Sequence, residues 1–509
     1  MVRRIFLLVA LVAASLTAVA TGPVSSQTVD VGSDAVKPMI FVHGFMGSGQ
    51  QFESQALRFT SNGYPAELIH AFEHDSLAYP GSQAEVWAGI DASVESALAE
   101  SGSDQLYLLG HSQGTGVVQG YLNSDPTRAA RVAAYVNLDG GAGGTVPEAV
   151  RTLAVWGEGP ADRQIPGATN VQFADQGHTQ VVNSPETFEA VYEFFLGQEP
   201  RYREVVREAS DDIEVSGRVV LFPENAGATD ATLSVYEVDG TTGERLGSPV
   251  ATVALSGDGS FGPIDVDGDS YYEFAVNRSS EPTTHHIYMQ RFVRSSQWVR
   301  VLTSEPDGLA NTFWEPSAHA QNLVVMRNEE WWADQGAQND SLAINGLEVL
   351  SPTKSPRTNR TIGVFLHDAG IDGRTDLAAK VAPAGLPFLI GIDLVIPAGD
   401  PAPGTTSVRA RPRNGDGAEG VCIPAFSSLE HRSSVQFNSY HRLLNEDGSA
   451  AEGHADPTCA PAPAAPPEPP APTTTTTTTV DRPAPRPTRP PTSPAPPARP
   501  RSGSASYTG

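Results

Sequence analysis

Residues Gly110-His111-Ser112-Gln113-Gly114 of this 509-residue chain have the types and spacing of a site for nucleophilic chemistry. They follow a strand-like run, Gln105 to Leu109, and precede a stretch of helical character. A sharp strand-to-helix turn lifts a serine hydroxyl clear of the chain and places the free N–H groups of the helix behind it. Flanking glycines suit such a turn because its backbone is strained and the two elements approach closely. A serine so placed needs a base. His178, in Asp175-Gln176-Gly177-His178-Thr179, comes 66 residues later, between a short apolar run and a helical one. His70, His74 and His111 have no such position. The base in turn needs a carboxylate to orient it. On the residues alone two stay open. Asp139 directly follows the run Val132 to Leu138, and Asp162 hangs on a longer Gly-Pro loop after Leu153 to Trp156.

The elements that must carry these groups are legible in residues 36–198. Short apolar runs at 38–42, 66–69, 105–109, 132–138, 153–156 and 171–173 alternate with longer stretches at helical spacing. Such alternation predicts a parallel sheet flanked by helices. The last helix is the clearest. Ser184 is a plausible N-cap, Pro185 fits the first helical position, and Gly197 stops the helix. Phe188, Val191, Tyr192 and Phe195 fall on one face. The first strand ends in Phe41-Val42-His43-Gly44-Phe45. In α/β-hydrolases a His-Gly pair here turns the chain so that a backbone N–H faces a developing oxyanion. The expected donors are the N–H groups of Phe45 and Gln113, with His43 itself structural.

Residues 200–450 switch to period-two alternation, as in Leu233 and Val235 against Thr232 and Ser234. Asn345-Gly346 between two apolar runs predicts a hairpin. The expectation is two all-β modules, a small sandwich over 200–280 and a barrel-like part over 281–450. Asp265-Val266-Asp267-Gly268-Asp269 imitates a calcium loop but lacks the glycine at position six and the glutamate at position twelve. His285-His286 lacks a third ligand nearby in sequence. No metal and no organic cofactor is expected. Trp331-Trp332 suits either a lipid interface or packing inside the β-region.

Residues 1–20 read as a secretory signal, with Arg3 and Arg4, an apolar run and Ala18-Val19-Ala20 for cleavage; a twin-arginine export signal is the alternative. Either predicts an extracellular protein without a transmembrane segment. Sixteen of the 42 prolines fall in 461–509, with an unbroken threonine run from Thr473 to Thr479. This tail reads as disordered, for cell-wall contact, glycosylation or no function of its own. The stretch between, 21–460, carries 26 basic and 57 acidic side chains. So acidic a surface repels phosphate backbones, so nucleic acid is not an expected partner. Two cysteines exclude a disulfide-framed scaffold and a four-cysteine zinc site. In an oxidising compartment Cys422 and Cys459 are candidates to pair.

Over residues 38–445 the sequence resembles secreted lipases of an archaeal type, in which an α/β-hydrolase domain is fused to a C-terminal β-domain. The resemblance is strongest in Gly167-Ala168-Thr169-Asn170-Val171, Ser184-Pro185-Glu186-Thr187-Phe188, Phe292-Val293-Arg294 with Trp298, and Val435-Gln436-Phe437. It implies that Asp139, at the Leu-Asp-Gly step, is the acid, and that the β-region binds substrate or lipid. Gln113 departs from the apolar residue usual there. The expected function is hydrolysis of carboxylic esters, acylglycerols first, at a lipid interface. The alternatives are a polyhydroxyalkanoate depolymerase and a secreted adhesion protein with an idle hydrolase domain. Because the candidate groups all lie within 43–178, the β-region is expected to decide which esters are cut and to add no necessary group.

Overall fold

A computed structural model describes residues 36–462 apart from 306–307, 309–314, 382–385, 414–417, 439–441 and 452–456. The expected signal at 1–20, and the tail from 463 on, lie outside the described residues. Six parallel strands form the first sheet: β1 (Met39–Val42), β2 (Ile69–Phe72), β3 (Leu106–His111), β4 (Val132–Leu138), β5 (Arg151–Trp156) and β6 (Thr169–Gln172). Their spatial order is β2-β1-β3-β4-β5-β6. This is the α/β-hydrolase arrangement. The strands read as continuous apolar runs because both faces are covered. Met39, Phe41, Leu109 and Val136 point into one buried cluster, and Ile40, Val42, Leu108 and Tyr135 into the other.

The flanking helices are α1 (Glu53–Ser61), α2 (Gln83–Ser101), α3 (Gln113–Ser124), the short α4 (Pro126–Ala130) and α5 (Gln180–Asn183), and α6 (Pro185–Leu196). In α6 the Ser184 hydroxyl accepts from the Thr187 N–H and Gly197 takes φ 68°. Its four expected apolar residues are all buried against the sheet. The strand expected over 66–69 is displaced. Ala66–Leu68 closes a 3-10 turn after Pro65, and the strand begins at Ile69.

Beyond residue 205 the described elements are strands and short 3-10 turns. A nine-stranded mixed sheet runs from Ala251–Ala254 and Ala231–Val238 through Tyr271–Arg278, Thr284–Met289 and His431–Phe437 to Leu323–Trp331 and on to Asp376–Val381. Asn345 and Gly346, at φ 50° and 79°, make the expected hairpin turn. A division at 280 is not where the pairing changes. Tyr271–Arg278 and Thr284–Met289 are antiparallel neighbours, and Ser296–Thr303 pairs with Ile213–Leu221. Residues 213–303 therefore close one core, containing Val215, Phe274, Ile287 and Val301. Tyr271–Arg278 also loses the expected inside–outside alternation. Tyr272 and Phe274 enter that core, while Tyr271 enters the core of the following strands. Cys422 and Cys459 form a disulfide, tying the chain near its last described residues to the strand Glu419–Pro424.

Trp331 and Trp332 are buried, so they present no surface to a lipid interface. The Arg327 guanidinium lies 4.6 Å from the Trp331 ring, and Trp332 has Arg357 at 4.0 Å and Arg413 at 3.7 Å. Stacked guanidinium groups cover the indoles and give them a cationic neighbour.

Candidate active site

The β3–α3 turn is the sharpest feature of the first sheet. Ser112 has φ 51° and ψ −121°, outside the regions an L-residue adopts readily. Such a conformation costs on the order of 1–3 kcal/mol and must be held by its surroundings. A Cβ on Gly114 would lie 2.3 Å from the Val42 carbonyl oxygen, and one on Gly110 would lie 2.7 Å from the Gly114 oxygen. Both glycines are therefore required by close backbone contact. The Ser112 N–H donates to the Leu138 carbonyl, tying the turn to the end of β4.

Asp139 directly follows β4, has φ 45° and is buried. Its Oδ2 accepts from His178 Nδ1 at 2.6 Å, while Oδ1 accepts from the Gly157 N–H at 2.8 Å and faces Arg163 Nη1 at 2.9 Å. Burial alone would push the Asp139 carboxyl up. The bond and charge of His178, the Gly157 N–H and Arg163 outweigh it and hold the group at about 2. Asp139 is thus anionic throughout the neutral range and fixes the His178 tautomer with Nε2 free to accept a proton. Asp162 lies exposed on its turn and makes no bond to His178. Its neighbour Arg163 is the one that reaches the carboxylate. No hydrogen bond joins the Ser112 and His178 side chains in this structure.

The backbone after β1 supplies donors. The Met46 N–H is taken by Ser76 Oγ at 2.8 Å and the Gly47 N–H by the Gly44 oxygen at 3.0 Å. Those of Phe45 and Gln113 donate to no group among the described residues. His43 is buried, and burial lowers its pKa, so it is neutral. Its Nδ1 donates to the Gly44 oxygen and its Nε2 accepts from the His74 N–H. These bonds hold the turn.

Further groups reach the site from positions that the motifs do not mark. His111, buried and kept neutral chiefly by burial, donates from Nε2 to the His178 carbonyl at 3.0 Å. Its place at the C-terminal end of β3, beside Ser112, was the available clue. Other groups come from the β-region. Asn225 donates to the Gly47 oxygen at 2.5 Å, Arg300 pairs with Glu73 at 2.6 Å, and Glu330 accepts from the N–H groups of Thr179 and Gln180. Glu73 in turn holds the Gly49 N–H. The β-region thus touches the loops that carry the candidate groups, without placing a reacting group of its own among them.

His285 and His286 lie on opposite faces of their strand, His285 bonded to Thr303 and Ser434 and His286 to Glu273 and His431. In the imitation calcium loop the Asp267 carboxylate accepts from the Asp269 N–H. Among the described residues Asp400, Glu430 and His431 are the one group whose ligand atoms could converge on a cation, and both of its carboxylates are exposed.

Residues 211–306 match the family model described as the lipase C-terminal domain. A second model, described as a C-terminal domain, matches 310–441. The gap between the matches falls where the pairing changes, after Ser296–Thr303. No curated protein matches the chain. Among solved structures it is similar to lipase B of Aspergillus fumigatus, at 12% identity and TM-score 0.26, over 33% of this chain and 54% of that one. It is also similar to a thermophilic esterase from Thermogutta terrifontis, at 13% identity and TM-score 0.22, over 32% of this chain and 90% of that one. A CIB-like hydrolase from Thermoplasma acidophilum has 15% identity and TM-score 0.24, over 33% and 89%. The chain thus spans about half the length of the fungal lipase, and these likenesses say nothing about substrate.

Proposed function

We propose that this chain is a secreted serine hydrolase that cleaves carboxylic esters with apolar acyl chains, acylglycerols being the substrate class. The observation that carries the reading is the buried Asp139–His178 bond beside a serine on a strained strand-to-helix turn. Ser112 Oγ attacks the ester carbonyl while His178 Nε2 takes its proton. The oxyanion is met by the free N–H groups of Phe45 and Gln113. His178 then protonates the leaving alcohol, Asp139 stabilises its imidazolium, and water repeats the sequence on the acyl-enzyme. The Ser112–His178 bond forms with substrate, as such bonds are often long without it. Secretion rests on the reading of residues 1–20.

The acyl preference is supported by two clefts that share Phe222, Leu302 and Met326. One, of about 380 Å³ with its open mouth, is lined by Met46 and Thr179, each next to a proposed catalytic group. The other, of about 670 Å³ with its open mouth, continues along Val324, Phe365 and Leu366. Ser112 and His178 line neither; on this reading the acyl chain passes between Met46 and Thr179 into the nearer cleft. The test is a panel of p-nitrophenyl esters, emulsified triglyceride and polyester film. Faster turnover of long-chain esters and triglyceride is expected. Preference for the film would favour a polyester depolymerase, and no hydrolysis of any member would refute the reading.

A further inference from the structure

The loop that carries His178 is gripped from both sides. On the catalytic side, Asp139 holds the imidazole and His111 holds the His178 carbonyl. On the other side the two N–H groups that follow His178, those of Thr179 and Gln180, open the four-residue helix α5 and have no partner in the first sheet. Both donate to one carboxylate. Glu330 Oε1 accepts from Thr179 at 2.5 Å and Oε2 from Gln180 at 3.0 Å. Glu330 is completely buried and lies on the strand Leu323–Trp331, 150 residues further along the chain. Gly177 makes room for it, since a Cβ there would lie 2.6 Å from Glu330 Oε2.

The backbone of Glu330 and the side chain of Gln180 are braced together. Arg413 Nη1 donates to the Glu330 backbone oxygen and Nη2 to the Gln180 side chain, each at 2.7 Å. Asp340 fixes Arg413 at 2.8 Å. Asn183, at the end of α5, donates to the Asn328 oxygen at 2.6 Å, so a second residue of the same strand holds the same loop. Charge-assisted bonds to a buried carboxylate are among the strong ones, and they tolerate little change in geometry.

We propose that Glu330, a side chain of the β-region, is a positioning residue for His178. Its two bonds set where the imidazole stands relative to Ser112, so the base is aimed by one part of the chain and oriented by the other. The inference rests on the reading of His178 as the base. A displacement of about 1 Å in a catalytic group can cost roughly 100-fold in rate.

The experiment is Glu330→Gln in the full chain, with a soluble short-chain p-nitrophenyl ester. Glutamine keeps the shape but can accept only one of the two N–H bonds. The expected result is a kcat lower by about 10- to 100-fold with KM unchanged. The low-field proton signal of the His178–Asp139 bond should shift or broaden while near-ultraviolet circular dichroism stays native. Arg357→Ala, which breaks another ion pair between the two parts, Arg357 with Glu158, should leave both readouts alone. A folded Glu330→Gln protein with native kcat and an unmoved signal would overturn the proposal. If that variant does not fold, amide exchange in the unaltered protein decides. Thr179 and Gln180 should exchange as slowly as the core strands, and fast exchange there refutes the grip. Full activity in His178→Ala would instead overturn the reading of the base and leave the Glu330 contacts as they are.

Discussion

The α/β part and the β-part of this molecule solve different problems with their buried charges. In the α/β part Asp139 lies just past the C-terminal end of a strand, where the chain leaves the sheet, and is held by groups from loops at the same edge: His178, Gly157 and Arg163. In the β-part the buried carboxylates and guanidinium groups lie within or beside strands, and several reach across. Arg300 goes to Glu73, Glu330 to the loop after His178, and Arg294 to Thr60. Trp298 enters the core of the first sheet beside Phe52. The reacting groups thus come from one part and a share of their support from the other. A domain boundary drawn from the chemistry alone misses that support.

The sharpest way to break this comparison is at Asp139. Asp139→Asn should cut turnover by ~10⁴-fold, because the imidazole loses both its orientation and its charge partner. Asp162→Asn should stay close to the native rate. Measuring kcat for both on one ester decides between them, and the larger loss at Asp162 would place the acid on the wrong loop. Asp139 stays ionised down to about 2. Loss of activity between pH 7 and 4 is therefore not due to its protonation.

The next largest effect concerns the seam. A fragment covering 36–199 would strip Glu73 of Arg300, expose the apolar face beside Phe52 that Trp298 covers, and leave the Thr179 and Gln180 N–H groups without their carboxylate. Apolar surface newly exposed along the seam loses about 25 cal/mol per Å² of stabilisation, and the bonds that fix the loop after His178 are lost with it. The fragment should fail to fold cooperatively and lose even short-chain esterase activity, as circular dichroism and an ester assay would show. A folded fragment with the full chain's short-chain rate would restore the simpler division, with the β-region acting only on substrate.

How much of this was legible follows from where each partner lies. Helix α6 could be read in full because its signals are local: a capping serine, a first-turn proline, a stop glycine and four apolar residues at helical spacing. The turn at Ser112 was equally local. Strand β2 starts three residues later than expected because Ala66 and Leu68 alternate with Glu67 as an edge strand would, and a 3-10 turn after Pro65 leaves the same pattern. Glu330 and Arg300 were illegible for a different reason. A buried charge looks like a surface charge until its partner is known, and their partners lie 150 and 227 residues away. Trp331 and Trp332 show the same limit, since aromatic residues alone do not separate a membrane-facing pair from one packed under arginines.

The smallest effect expected is at Glu53, which lies on the seam at the start of α1. Burial pushes its carboxyl up to about 8, with Arg300 and Ser296 opposing. The unfolded chain releases that proton near 4.5, so between about 4.5 and 8 the folded chain holds one proton more and stability falls as pH rises. Glu53→Gln removes this dependence. Its melting temperature should match the native protein near pH 4 and exceed it by a few degrees, roughly, at pH 8. A native-minus-variant difference that does not change with pH would mean that Glu53 is ionised in the folded chain.

The account depends most on Ser112 as the nucleophile. The direct measurement is covalent labelling of the full chain by a p-nitrophenyl alkylphosphonate, with peptide mass spectrometry and an ester assay on the same samples. One phosphonyl group should appear on the Ser112 peptide, hydrolysis should stop in proportion to labelling, and Ser112→Ala should neither label nor turn over. A Ser112→Ala protein that folds and still hydrolyses esters at the native rate, or inactivation that maps to another residue, would contradict it.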